Sequence, residues 1–156
     1  MIKVAIVDDN QINRITIKEK LAPYQDVLLV FEATNGEDFF DKLESLPKED
    51  YPQVVLMDLE MPILDGIVTI ASASIKFPEI KYIVLTIYED DDKIFEAIKA
   101  GASGYLLKED KALNIEEAMK NVVQFDGIPM SPAIARRAMD LLRDTPKPTA
   151  SMQNAI

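Results

Sequence analysis

Cysteine and histidine are both missing from the 156 residues, and each absence removes a class of chemistry. Without thiols there are no disulfides and no thiolate metal sites, which suits a reducing compartment and makes a cytoplasmic location the expectation. Without imidazole there is no histidine-based catalytic triad and no side chain that can itself carry phosphohistidine. No apolar run approaches the ~20 residues that span a bilayer. The opening Met1-Ile2-Lys3-Val4-Ala5-Ile6-Val7 is too short and too soon acidic for a secretory signal, so no membrane partner is expected. Positive charge is also scarce: 17 Lys and Arg stand against 27 Asp and Glu, a net charge of −10. A polyanion is normally gripped by a basic face, so these residues are not expected to bind DNA themselves.

What is present fits one ordinary domain with a short appendage. The hydrophobic share of 48% and charged share of 28% are those of a globular protein. Residues 2–7, 27–31, 53–57, 81–86 and 104–107 are short and rich in Val, Ile and Leu. Their nearly continuous hydrophobicity predicts strands of a parallel sheet covered on both faces. Amphipathic stretches at about 10–22, 36–46, 66–77, 90–100 and 112–125 predict the intervening helices. Five such alternations predict right-handed crossovers and a doubly wound α/β sheet, in the flavodoxin-like strand order 2-1-3-4-5. Asn35-Gly36 and Asp65-Gly66 mark helix starts, and Gly101 is placed as a C-cap. Beyond Asp126-Gly127-Ile128-Pro129, Ser131 and Pro132 open a short sixth helix at about 132–143. The expected organisation is therefore a domain at 1–126, a connector at 127–144, and a linker or tail at 145–156.

In a doubly wound sheet, functional side chains gather at the carboxyl ends of the strands. Those ends carry Asp8 and Asp9, Asp58, Thr86 and Lys108, which the strand order brings to one pocket. Three carboxylates together repel and raise one another's pKa unless a cation intervenes. Mg2+ answers this need: it takes one or two carboxylates and leaves positions for water or phosphate oxygens. Asp58 is then an ionised nucleophile for phosphorus. Lys108 offsets charge on the phosphoryl oxygens, and the Thr86 hydroxyl can hydrogen-bond one of them.

Val7-Asp8-Asp9, Leu56-Met57-Asp58-Leu59-Glu60-Met61-Pro62 with Asp65-Gly66, Leu85-Thr86 and Gly104-Tyr105-Leu106-Leu107-Lys108 together resemble the receiver (CheY-like) domain of two-component response regulators. The resemblance implies that Asp58 accepts a phosphoryl group from the phosphohistidine of a partner sensor histidine kinase. It also implies that Asp8, Asp9, Asp58 and the Glu60 backbone carbonyl ligate Mg2+. Tyr105 would form a switch with Thr86, reporting phosphorylation to the surface of the fourth helix, fifth strand and fifth helix. Glu60 and Tyr88, two residues beyond Asp58 and Thr86, would border the phosphoryl group and tune its lifetime. Such a protein is a regulator that assists only its own phosphorylation and dephosphorylation, and it is expected to pair into a homodimer when phosphorylated.

Gly104 to Asp110, Ile128 to Pro132 and Ala133 to Arg137 further resemble the subfamily whose receiver precedes a LuxR-type helix-turn-helix. DNA would then be met only through an output domain absent from this chain, with transcription as the regulated process. A stand-alone receiver that docks to proteins is the alternative. Blander readings also stand beside each residue: Asp8 or Asp9 as a helix cap, Tyr105 as core, and Glu89-Asp90-Asp91-Asp92 as an acidic first turn. An aspartate-nucleophile phosphohydrolase would place Asp-x-Asp after strand one, where Asp8-Asp9-Asn10 stands instead. A flavin site would need a Ser/Thr/Gly-rich loop there, and a Walker nucleotide site its glycine-rich loop.

Overall fold

The computed structural model describes residues 1–144; the expected linker at 145–156 lies outside the described residues. Strands β1 (Ile2–Val7), β2 (Val27–Ala33), β3 (Val54–Met57), β4 (Lys81–Thr86) and β5 (Gly104–Leu107) form one sheet in the order β2-β1-β3-β4-β5. Every neighbouring pair is parallel. Between them run α1 (Gln11–Leu21), α2 (Gly36–Glu44), α3 (Gly66–Lys76) and α4 (Asp91–Ala100), with α5 (Ala112–Gln124) and α6 (Pro132–Asp144) after β5. The expected flavodoxin-like α/β fold with a C-terminal helix is the observed one. A single 3-10 turn at Lys48–Asp50 is an addition that no periodicity announced.

Alternation along the strands divides the core in two. Val4, Ile6, Val54, Leu56, Ile83 and Leu85 face α1 and α5, meeting Ile17, Leu21, Ile115, Met119 and Val122. Ala5, Val7, Val55, Met57, Tyr82, Val84 and Tyr105 face the other way, against Phe39, Leu43, Ile70, Ala73, Ile94, Ala97 and Ile134. Each fully buried aliphatic side chain contributes about 1.5–3 kcal/mol, so strands with both faces covered are held by packing from two sides. Among the described residues, no helix is long and apolar enough to cross a membrane.

The caps follow the turn chemistry. Asn35 and Asp65 accept hydrogen bonds from the backbone N–H of Asp38 and Val68 at the starts of α2 and α3. Gly101 ends α4 at φ 109, a left-handed conformation that glycine adopts without penalty. The connector departs from a simple tether. Its Pro129–Ser131 segment runs along the free edge of β5: the Tyr105 N–H donates to the Pro129 carbonyl at 3.0 Å, and the Ser131 N–H to the Tyr105 carbonyl at 3.1 Å. Helix α6 then packs on α4 and buries Ile134 fully. An open strand edge and the apolar flank of α4 are what this segment satisfies.

Candidate functional site

Sheet hydrogen bonding continues one residue past three strands and so fixes the backbone of the site. The Asp8 N–H donates to the Ala33 carbonyl at 3.0 Å, Asp58 to Val7 at 2.9 Å, and Lys108 to Thr86 at 2.8 Å. Asp8 and Asp58 are thereby held on neighbouring strands, and Lys108 on the strand beside Thr86. The helix-cap alternative for the acid pair is answered by the next residue. Asn10 caps α1, its side chain accepting from the Asn13 N–H, and both aspartates remain available.

Carboxylate oxygens of Asp8, Asp9 and Asp58 lie within 4.8 Å of one another. Asp8 and Asp58 are buried, while Asp9 faces solvent. One cation enters the cluster: the Lys108 ammonium stands 2.7 Å from Asp8 Oδ2 and 2.8 Å from Asp58 Oδ2. The other Asp58 oxygen accepts from the Leu59 N–H at 2.8 Å, and Asp8 Oδ1 from the Asn10 N–H at 2.9 Å. Burial pushes the Asp58 carboxyl above the usual carboxylate range, with Asp8 adding repulsion, although the Lys108 hydrogen bond pulls the other way. For Lys108 burial works downward, and its two carboxylate partners outweigh it, so the ammonium is held more firmly than usual. Asp8 Oδ2 is buried with no hydrogen-bond donor aligned on it. Three negative charges therefore meet one positive charge among hard oxygen donors, which is the ligand set of an oxygen-loving divalent cation.

Thr86 is fully buried, and its hydroxyl oxygen is 3.4 Å from the Tyr88 N–H. Tyr105 is also buried and donates its phenol proton to the Tyr88 carbonyl at 2.6 Å. It is thus both core and a tie to the loop after Thr86. Tyr88 in turn donates to Glu60 at 2.7 Å. Lys93 pairs with Glu60 at 2.8 Å and lies over the Tyr88 ring, 4.9 Å from its centre. The Lys93 and Tyr88 hydrogen bonds together hold the Glu60 carboxyl below its usual range. All eight residues singled out from sequence gather at this end of the sheet.

Two supporting residues and one close backbone contact were not anticipated. Lys93 is a lone cation directly after the acidic run 89–92, a break in charge that was the available signal. Lys20 donates to the Lys108 carbonyl at 2.7 Å and the Asp110 carbonyl at 2.9 Å, and nothing local in the sequence marks it. Gly66 lies against the Asp58 backbone: a Cβ there would stand 2.0 Å from the Asp58 carbonyl oxygen. Gly66→Ala is accordingly expected to cost about 2–3 kcal/mol through backbone displacement. A lowered urea midpoint with weakened Mg2+ binding is the expected reading; a parental midpoint would show that the loop yields freely. Beside it, Ile63 holds φ 70, costly for a β-branched residue at a loop between site and helix.

Residues 4–120 match the model of the response regulator receiver domain. Transcriptional regulatory protein DegU of Brevibacillus brevis is 35% identical over 123 residues, covering 79% of this chain and 50% of DegU. LiaR of Bacillus subtilis is 37% identical over 120 residues, covering 77% of this chain and 55% of LiaR. The chain spans about half the length of these curated relatives. Among solved structures, a LuxR-family two-component response regulator from Aurantimonas sp. SI85-9A1 superposes with a TM-score of 0.81 at 22% identity. That match covers 91% of this chain and 98% of the other. The BeF3-activated receiver domain of DrrB superposes at 0.65 with 27% identity, covering 80% and 98%. With more than half its length matched by one family, this chain belongs to the response regulator receiver domain family, and the transcriptional regulatory proteins DegU and LiaR are among its relatives.

Proposed function

We propose that this domain is a phosphorylation switch in which Asp58 accepts one phosphoryl group from a sensor histidine kinase. The observation that carries the reading is the buried pair Asp8 and Asp58 bridged by one ammonium, with Asp9 completing a three-carboxylate cluster. Mg2+ suits the donor set, because the oxygens are hard and three carboxylates share one ammonium. Asp8, Asp9, Asp58 and the Glu60 backbone carbonyl would hold it, and when bound it offsets charge on the phosphoryl oxygens.

The residues of the chain do the remainder. An Asp58 carboxylate oxygen forms the bond to phosphorus while the donor's bond to phosphorus breaks. Lys108 then faces a dianionic group in place of a carboxylate, and its firmly held proton keeps it cationic throughout. The Thr86 hydroxyl turns to a phosphoryl oxygen, giving up its weak 3.4 Å contact with Tyr88. Tyr105, tied to the Tyr88 carbonyl, follows the loop, and the change spreads along α4, β5 and α5. Glu60, Tyr88 and Lys93 form the rim that governs access to the group and its lifetime.

Residues 1–126 are the switch and 127–144 the connector. The parent protein would act in the cytoplasm on transcription through a DNA-binding output module, and phosphorylated copies would pair. Because α6 lies on α4, pairing through α4 has to include or displace the connector. The test is direct. Incubation with Mg2+ and acetyl phosphate should add the mass of one phosphoryl group to the intact protein. No adduct under those conditions would overturn the reading.

A further inference from the structure

The loops that carry Thr86 and Lys108 both hold the connector, but by contacts of different quality. Arg137 of α6 reaches Asp91 at 3.3 Å and Glu89 at 3.9 Å. All three side chains are substantially exposed, so this anchor is solvent-screened and weak. Ser131 differs. It is buried at 4% exposure, and its hydroxyl accepts from the Leu107 N–H at 3.0 Å and donates to the Asp110 carboxylate. Those partners stand immediately before Lys108 and two residues after it. The sequence placed Ser131 as a cap for α6, yet its hydroxyl is engaged by β5 and the loop that follows.

We propose that Ser131 is a positioning residue for Lys108, so that the connector forms part of the scaffold of the phosphoacceptor site. The inference rests on the reading of Asp58 as phosphoacceptor. Lys108 is fixed from three directions: its N–H by the Thr86 carbonyl at 2.8 Å, its carbonyl by Lys20 at 2.7 Å, and its flanking residues by Ser131. Remove the Ser131 hydroxyl and the Leu107 N–H is left buried without an acceptor while Asp110 loses its donor. The strand end then relaxes, and the ammonium leaves the midpoint between Asp8 and Asp58. A displacement on the order of an ångström at a reacting centre has large kinetic effects. The coupling is reciprocal: whatever pulls the connector away from β5 loosens Lys108, and a phosphoryl group that draws Lys108 toward it strains the Ser131 contacts.

The experiment compares the parent, Ser131→Ala and Ser131→Thr, all as the full chain. Phosphorylation by acetyl phosphate is followed by intact mass over a range of donor concentrations, and Mg2+ affinity is measured by calorimetry. Ser131→Ala should lower the maximal rate about tenfold, an effect realised in the transition state, while Mg2+ affinity stays within about twofold. Ser131→Thr, which keeps the hydroxyl, should restore most of the rate. Hydrogen exchange at the Leu107 amide, read by NMR in the absence of donor, should accelerate in Ser131→Ala and not in Ser131→Thr. A merely structural serine would change rate and metal affinity together, in step with thermal stability. The proposal falls if Ser131→Ala is phosphorylated at the parental rate, or if Leu107 exchange is unchanged. If the added methyl prevents Ser131→Thr from folding, Asp110→Ala removes the same link from the other side and should slow phosphorylation in the same sense. A parent that is not phosphorylated at all overturns the phosphoacceptor reading instead, and the Leu107 exchange still reports whether Ser131 holds the strand end.

Discussion

Asp58→Asn should not be phosphorylated by acetyl phosphate and Mg2+ at any measurable level, a loss of at least about a hundredfold against the parent. The replacement is nearly isosteric, so packing changes little: Asp58 is buried beside Leu59, and an amide oxygen can still accept from the Leu59 N–H as the carboxylate does at 2.8 Å. What disappears is the anionic oxygen that attacks phosphorus. The substitution also removes one of three clustered negative charges, so Mg2+ should bind more weakly while Lys108 keeps its contact with Asp8 at 2.7 Å. Stability should hold or rise, because a carboxyl raised above its ordinary range by burial is one whose ionised form the fold does not favour. Asp8 and Asp9 provide the counter-test. If Asp58→Asn still gains the mass of a phosphoryl group, peptide mapping would locate it on another carboxylate, and the assignment would be wrong.

Much of this site was legible because the sheet is regular. Strands at 2–7, 81–86 and 104–107 end where the apolar runs end, so the polar residue that follows each run is the one delivered to the pocket. Strand β2 is the exception, running on to Ala33. Its extension includes Glu32, which pairs with Arg14 at 3.2 Å and Lys18 at 2.9 Å; a charge at a strand edge looks like the end of a strand when only hydropathy is read. The connector was legible as a helix but not as a docked one. Ser131 meets Leu107 across 24 residues of sequence, and Lys20 meets Lys108 and Asp110 across 88 and 90. A hydroxyl's direction and a lysine's reach are set by tertiary packing, and local pattern holds no trace of either. The pairing of Glu60 with Lys93 was hidden for a related reason: an acidic first turn already suits a helix dipole, so the cation behind it asked for no explanation.

Lys108→Ala should give a protein that is less stable alone and depends on Mg2+ for its fold. In the parent one ammonium serves two buried carboxylates at 2.7 and 2.8 Å, and removing one side of such a buried arrangement costs about 3–5 kcal/mol. Protonation is the escape open to the variant. Burial already holds the Asp58 carboxyl high, and the Lys108 hydrogen bond is the main influence lowering it, so losing that bond moves the carboxyl further up. A carboxyl raised in the folded state favours folding when protonated and opposes it once pH climbs from its unfolded value through its folded one. The metal-free variant should therefore lose stability more steeply than the parent as pH rises above the ordinary carboxylate range. Mg2+ acts in the opposite sense, because it binds the ionised cluster, and the variant no longer presents an ammonium that repels it. At a hundred times its dissociation constant a bound ion adds about 2.7 kcal/mol. The melting temperature should consequently rise more on adding Mg2+ in Lys108→Ala than in the parent, while phosphorylation becomes slower for want of a cation facing the phosphoryl oxygens. Thermal melts over a rising pH series with and without MgCl2, alongside intact-mass kinetics, read both effects. Equal Mg2+ gains in the two proteins would mean that Lys108 does not hold the carboxylates together.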